Sequence, residues 1–136
     1  DMDFPLLIAH LDTPHGEVVF FGIHPLPPLS KPWARALDET MEILAAKVTQ
    51  ESERVIVVGD FNMTRWSHMS KQLEQVGLLD ASYGKSLGTT WMRKIPLLTI
   101  PIDRILFRGS KMNCQQFIIG PDLGSDHRPV HAEISW

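Results

Sequence analysis

Asp60 and Asn62 stand in the run Gly59-Asp60-Phe61-Asn62, directly after the strand-like stretch 54–58 (RVIVV). An aspartate there can act as a general base or a metal ligand, and an asparagine amide can donate to a phosphate oxygen. Gly, Asp and Asn also favour turns, so the run taken alone reads equally well as a turn. Its place after a strand apolar at almost every position favours a site, because functional groups of α/β proteins collect at such strand ends. A second group, Ser125-Asp126-His127-Arg128, follows the turn-forming run Gly120-Pro121-Asp122-Leu123-Gly124. An adjacent Asp-His pair can put a hard carboxylate on a metal and an imidazole on a phosphate. An isolated Asp-His is more simply a polar surface turn, and Arg128 fits a phosphate clamp and a structural ion pair equally well.

Asp103 is the most telling single residue. It lies inside Ile102-Asp103-Arg104-Ile105-Leu106-Phe107, on the face that carries Ile105 and Phe107. A carboxylate on such a face is costly unless paired, and a histidine whose ring it would orient is a natural partner. The alternative is an edge position open to water. His24 closes an apolar strand and enters the proline-stiffened run Pro25-Leu26-Pro27-Pro28, a good place for a fixed imidazole. His10, His15, His68 and His131 read as structural or exposed. Trp66 could line a cleft, although packing is the simpler role. Arg93 and Lys94 could attract an anion, with a solvated loop as the default. Taken together, Asp60, a metal held partly by Asp126, and the imidazoles of His24 and His127 cover the needs of phosphoester hydrolysis. These are an activated water, positive charge on the phosphoryl oxygens and help for the leaving group.

The elements that must position these residues are legible in outline. Residues 5–11 and 17–23 are β-rich runs around Asp12-Thr13-Pro14-His15-Gly16, which predicts a hairpin. Trp33, Leu37, Met41, Leu44 and Val48 recur at helical spacing and predict a helix over 32–50, started by Ser30 and Pro32. A second helix is expected over 67–76, with Met69, Leu73 and Val76 inward and Gly77 ending it. Strands are expected at 54–58, 101–107, 114–119 and 128–135. The last alternates Val130, Ala132 and Ile134 with His131, Glu133 and Ser135, one covered face and one wet one. The strands 18–23 and 55–58 are apolar throughout and want cover on both faces. Two helices can cover one face, so something else must cover the other.

With 136 residues, 43% apolar and 21% charged, the sequence fits one globular domain with a real core. A net charge of −3 argues against affinity that rests on a broad basic surface for duplex DNA. It leaves phosphate substrates open, since a metal ion can supply the positive charge locally. Cys114 is the sole cysteine and reads as a small core residue. No apolar run approaches the roughly 18 residues that a membrane span needs, and no signal segment opens the sequence. The first residue is Asp1, so a removed signal or membrane anchor stays open.

Four ordered pieces carry a resemblance: Ile23-His24-Pro25, Gly59-Asp60-Phe61-Asn62, Ile102-Asp103-Arg104-Ile105 and Ser125-Asp126-His127-Arg128-Pro129-Val130. The second and fourth are specific as a pair; the first and third are weak alone. Together they resemble the endonuclease/exonuclease/phosphatase superfamily, whose fold is that of DNase I. The resemblance implies an α+β fold, an α/β/β/α sandwich. This chain, 1–136, would supply its C-terminal half, with one mainly antiparallel sheet and helices on one face. It also implies roles. Asp60 orients or deprotonates the attacking water, and Asn62 binds the phosphate. Asp126, with Asp60, takes part in metal binding. His127, oriented by Asp103, contacts the phosphate, and His24 is a second phosphate-contacting imidazole and general acid. Mg2+ is the expected metal, with Mn2+ as an alternative.

The family's Asn and metal-binding Glu from the N-terminal half have no counterpart here, and Asp1 and Asp3 lack the context to replace them. The implied function is a metal-dependent phosphodiesterase, nuclease or phosphatase, weakly active as this chain alone. The alternative is a non-catalytic phosphate-binding or assembly module. A zinc hydrolase ranks third, because the histidines lack close ligand spacing. The implied substrates are phosphate esters: nucleic acid, a nucleotide or a phospholipid headgroup. The bare sheet face would favour a homodimer. The run Ile23 to Ser30 resembles bacterial members that carry this domain after a hydrophobic N-terminal region, which would make the parent protein membrane-anchored.

Overall fold

β1 (Leu7–Thr13) and β2 (Gly16–Ile23) form the expected antiparallel hairpin. Its turn is held by the Thr13 hydroxyl, which donates to the Gly16 carbonyl at 2.7 Å, with Gly16 at a φ of +104°. The structure, a computed structural model, describes residues 6–51, 54–91 and 99–136. Arg93, Lys94, Asp1 and Asp3, considered above, lie outside the described residues.

Helix α1 (Lys31–Gln50) starts at Ser30, whose hydroxyl accepts the Trp33 N–H at 3.4 Å. Its stripe of Leu37, Met41, Leu44 and Val48 is buried as the spacing requires. Trp33, at the first turn of that stripe, is 36% exposed instead. α1 carries the chain across to β3 (Val55–Asp60), which lies parallel to β2. Helix α2 (His68–Gln75) is capped by Ser67, packs Met69 and Leu73 inward, and ends at Gly77 with a φ of +86°. The short β4 (Leu79–Asp80) and β5 (Asp103–Arg108) follow, and β5 runs antiparallel to both β3 and β4. The sheet order is β1-β2-β3-β5-β4. Three of its four pairings are antiparallel, and both helices share one face.

The last two strands, β6 (Asn113–Ile119) and β7 (Val130–Ser135), do not extend this sheet. Among the described residues they pair only with each other. Both edges of β5 are already taken by β3 and β4, so the chain turns at Gly109 and lays the hairpin over the opposite face. Two cores result. Val19, Phe21, Val55, Val57 and Leu106 meet the helices on one side. On the other, Ile56, Ile105 and Phe107 meet Met112, Cys114, Phe117, Ala132 and Ile134 from the hairpin segment. The β6–β7 hairpin is thus the cover that the doubly apolar strands called for, over the β3–β5 end. Toward β1 the same face is open: Leu7 and Leu11 are 60% and 47% exposed. Among the described residues no helix is long and apolar enough to cross a membrane.

Candidate active site

Strand register decides which side chains meet. Asp60, the last residue of β3, lies directly opposite Asp103, the first of β5. Both project from the face away from the helices, in phase with Ile56 and Ile105. Like charges opposite each other on paired strands repel. Here an imidazole is placed against them. His127 Nδ1 lies 2.9 and 3.1 Å from the two carboxylate oxygens of Asp103, and its Nε2 lies 4.0 Å from Asp60 Oδ2. Asp103 is therefore paired with a histidine, and the reading of an edge carboxylate open to water falls away.

His24 approaches from the other side, its Nε2 3.6 Å from Asp60 Oδ2. This follows from Gly59. Its φ is +150°, and a Cβ there would run into the Ile23 carbonyl, so only glycine lets the ends of β2 and β3 come so close. His24 is largely exposed, whereas Asp60 is mostly covered. Burial pushes the Asp60 carboxyl above the ordinary aspartate range and the Asp103 charge adds to this. The Asn62 N–H and the two imidazoles act in the opposite direction.

Asn62 sits at a φ of +49°, a conformation asparagine tolerates better than most residues. Its backbone N–H donates to Asp60 Oδ1 at 2.8 Å, and its side-chain Nδ2 donates to the Pro25 carbonyl at 2.8 Å. The amide expected to face a phosphate thus spends one of its two side-chain hydrogens holding the His24-Pro25 loop.

His127 is carried on a loop from Gly120 to Pro129, closed where the Gly120 N–H donates to the Pro129 carbonyl at 2.7 Å. Ser125 Oγ accepts the His127 N–H at 3.1 Å. Asp126 and Arg128 are both exposed. Arg128 lines the open groove that holds Asp60, Asp103 and His127. Asp126 stands apart from the close group formed by Asp60, Asp103 and His127, whose ligand atoms lie within 4.8 Å of one another. Of the seven residues singled out in the sequence, His24, Asp60, Asp103 and His127 converge. Asn62 braces them, Arg128 borders them, and Asp126 faces solvent.

Two residues of the site had no signal in the sequence. Thr90 is 1% exposed, and Trp91 tilts its ring toward His127 at a centroid distance of 6.3 Å. They lie in a stretch without periodicity, and tertiary contacts bring them here: the bridges of Trp91 to His127 and Ile100, and the hydrogen bonds of Thr90 to the start of β5 and to Arg128. Trp66, in contrast, is 62% exposed and stacks under the Arg65 guanidinium at 5.1 Å.

Divalent cations such as Mg2+ and Mn2+ want oxygen ligands. Asp60 is a carboxylate mostly covered from water and facing a second carboxylate, and a cation would relieve that cost, so the donor set fits. Asp103 fits a ligand role less well, because both its oxygens are already engaged by His127.

The sheet with helices on one face and a β-hairpin on the other, carrying an Asp-His-Asp-His group at its strand ends, defines a chain of the DNase I-like α+β class. The model of the Endonuclease/Exonuclease/phosphatase family matches residues 2–127, and the chain belongs to that family. Among solved structures it is similar to D. rerio TDP2 complexed with a single-strand DNA product. The two share 19% identity and a TM-score of 0.79 over 96% of this chain and 61% of that one. It is also similar to the 3′ phosphatase NExo from Neisseria bound to a product DNA hairpin (18% identity, TM-score 0.75, 100% of this chain and 66% of that one). A third is the mannosyl-6-phosphatase Bt3783 of Bacteroides thetaiotaomicron (19% identity, TM-score 0.70, 88% and 52%). At these identities the likeness carries the fold alone. The chain spans between 52% and 66% of the length of these three. No curated protein matches it in sequence.

Proposed function

We propose that the chain is the C-terminal half of a metal-dependent phosphoester hydrolase, completed by an N-terminal half that adds the remaining metal ligands. The observation that carries this reading is the Asp103–His127 pair held against Asp60. An imidazole oriented by one carboxylate and turned toward a second, partly desolvated one suits proton movement and phosphate contact.

In this reading Asp60 takes the proton of the attacking water, a task its raised pKa favours. Asp103 fixes the His127 ring through Nδ1, so that Nε2 faces the phosphoryl oxygens. His24, on the far side of Asp60, protonates the leaving oxygen. Asn62 holds the His24 loop and offers its remaining side-chain hydrogen to the phosphate, and Arg128 draws the anion into the groove. Asp60 and Asp126 would share in holding Mg2+ or Mn2+. When bound, that ion supplies positive charge to the phosphoryl oxygens. Phosphodiesters of nucleic acid, nucleotides and phospholipid headgroups are the candidate substrates.

The test is hydrolysis of a generic aryl phosphodiester by the full-length protein with Mg2+ or Mn2+. Asp60→Asn and His127→Ala should each lower kcat by roughly 10²–10⁴-fold. Full activity in both variants would overturn the assigned roles. The exposed position of Asp126, outside the group of Asp60, Asp103 and His127, favours one further reading, a phosphate-binding or assembly module. Tight phosphate-ester binding with no turnover in the full-length protein would establish that reading instead.

A further inference from the structure

We propose that Thr90 is a positioning residue for the Asp103–His127 pair. The pair is joined at 2.9 Å across 24 positions of sequence, and its two members hang from separate pieces of backbone. Thr90 is bonded to both pieces. Its Oγ1 accepts the N–H of Asp103 at 3.1 Å and that of Ile102 at 3.2 Å, fixing the start of β5. Its carbonyl accepts the N–H of Arg128 at 2.8 Å, fixing the chain directly after His127. Its own N–H donates to the Ile100 carbonyl at 3.1 Å. A hydroxyl oxygen has two lone pairs, so accepting both strand N–H groups uses the acceptor capacity fully.

The chemistry explains the residue type. Valine would match the shape but accept neither N–H, leaving both without their partner in a buried place. Serine would keep the acceptor and lose only the methyl group, along with the χ1 stiffness of a β-branched side chain. Displacements of about 1 Å in a catalytic group can cost on the order of 10²-fold in rate. One buried residue that ties both backbones therefore sets the Asp103–His127 distance. Trp91, next in sequence, adds a ring beside the imidazole.

The inference rests on the hydrolase reading only where turnover is measured. Its primary readout is the low-field proton resonance of the His127 Nδ1–H bonded to Asp103, which needs no activity. In the full-length protein that resonance should be present in the wild type, absent in Asp103→Asn, kept in Thr90→Ser, and lost or broadened in Thr90→Val. The graded set Thr90→Ser, Thr90→Cys, Thr90→Ala should follow acceptor strength rather than side-chain volume, which keeps the test open if Thr90→Val does not fold. Where turnover is seen, kcat should fall about 10²-fold in Thr90→Val with KM little changed, and Thr90→Ser should restore most of it. A resonance that stays sharp and unshifted through Thr90→Cys and Thr90→Ala would overturn the proposal. So would a Thr90→Ser protein as impaired as Thr90→Ala. If the resonances follow the expected order while the wild type hydrolyses nothing, the hydrolase reading fails and the positioning role stands.

Discussion

Asp60 bears the conflict between stability and function most directly. Its carboxyl is held above the ordinary range, mainly by burial and next by the opposing Asp103, so ionising it works against the folded state. The penalty is absent while Asp60 is protonated in both states, below about pH 3.9, the ordinary value for an unfolded aspartate. It grows as the pH rises through the higher folded-state value and is complete at neutral pH. Asp60→Asn should therefore raise the Tm at pH 7 without divalent metal, and the gain should shrink as the pH falls toward 3.5. An equal gain at both values would point to packing rather than charge. Asn62 shows what the sequence could not convey at this scale. The residue type was legible as a phosphate donor, but not that Pro25 claims one of its hydrogens, because that contact spans 37 positions.

Between elements, Gly59 and Arg104 decide whether the strand ends meet. Gly59→Ala forces both a strained backbone and a clash with the Ile23 carbonyl. It should cost about 1–3 kcal/mol in urea denaturation and uncouple His24 from Asp60. An unchanged urea midpoint would show that the β2 and β3 ends are not held together as described. Arg104, on the helix side of the same strand end, donates to Asp80 at 2.9 Å and to Ser70 at 2.6 Å, and its guanidinium lies 5.0 Å from the Phe61 ring. Burial lowers its pKa and Asp80 opposes that shift. Asp80→Ala would strand a buried charge and should cost about 3–5 kcal/mol, more than the paired change Asp80→Leu with Arg104→Met. Equal losses for the two proteins would refute a buried, mutually dependent pair. The periodic elements were readable because burial imposes a period on them. Leu37, Met41 and Leu44 had to lie on one side of α1, and Val130, Ala132 and Ile134 on one side of β7. Alternation says only that a strand has a covered face, not which sheet it joins, so the separate β6–β7 hairpin was hidden. Thr90 was hidden for the reason that its bonds are all tertiary or to the distant end of a loop.

At the scale of the whole molecule, the face shared by Leu7 and Leu11 is open where the β6–β7 hairpin stops. This chain alone should cover it by self-association, giving a dimer by light scattering that Leu7→Glu with Leu11→Glu returns to a monomer. A wild-type chain that stays monomeric at high concentration would remove the homodimer from consideration. The parallel pairing of β2 with β3 carries a consequence of another kind, in time. Those strands cannot zip from a turn; their register waits until all of α1 has been laid across the sheet. His24 and Asp60 can then come together, but Asp103 has no histidine until the loop before β7 has been made and folded back. Until then the two opposed carboxylates would face each other with only His24 beside them, and the arrival of the loop before β7 would close the site.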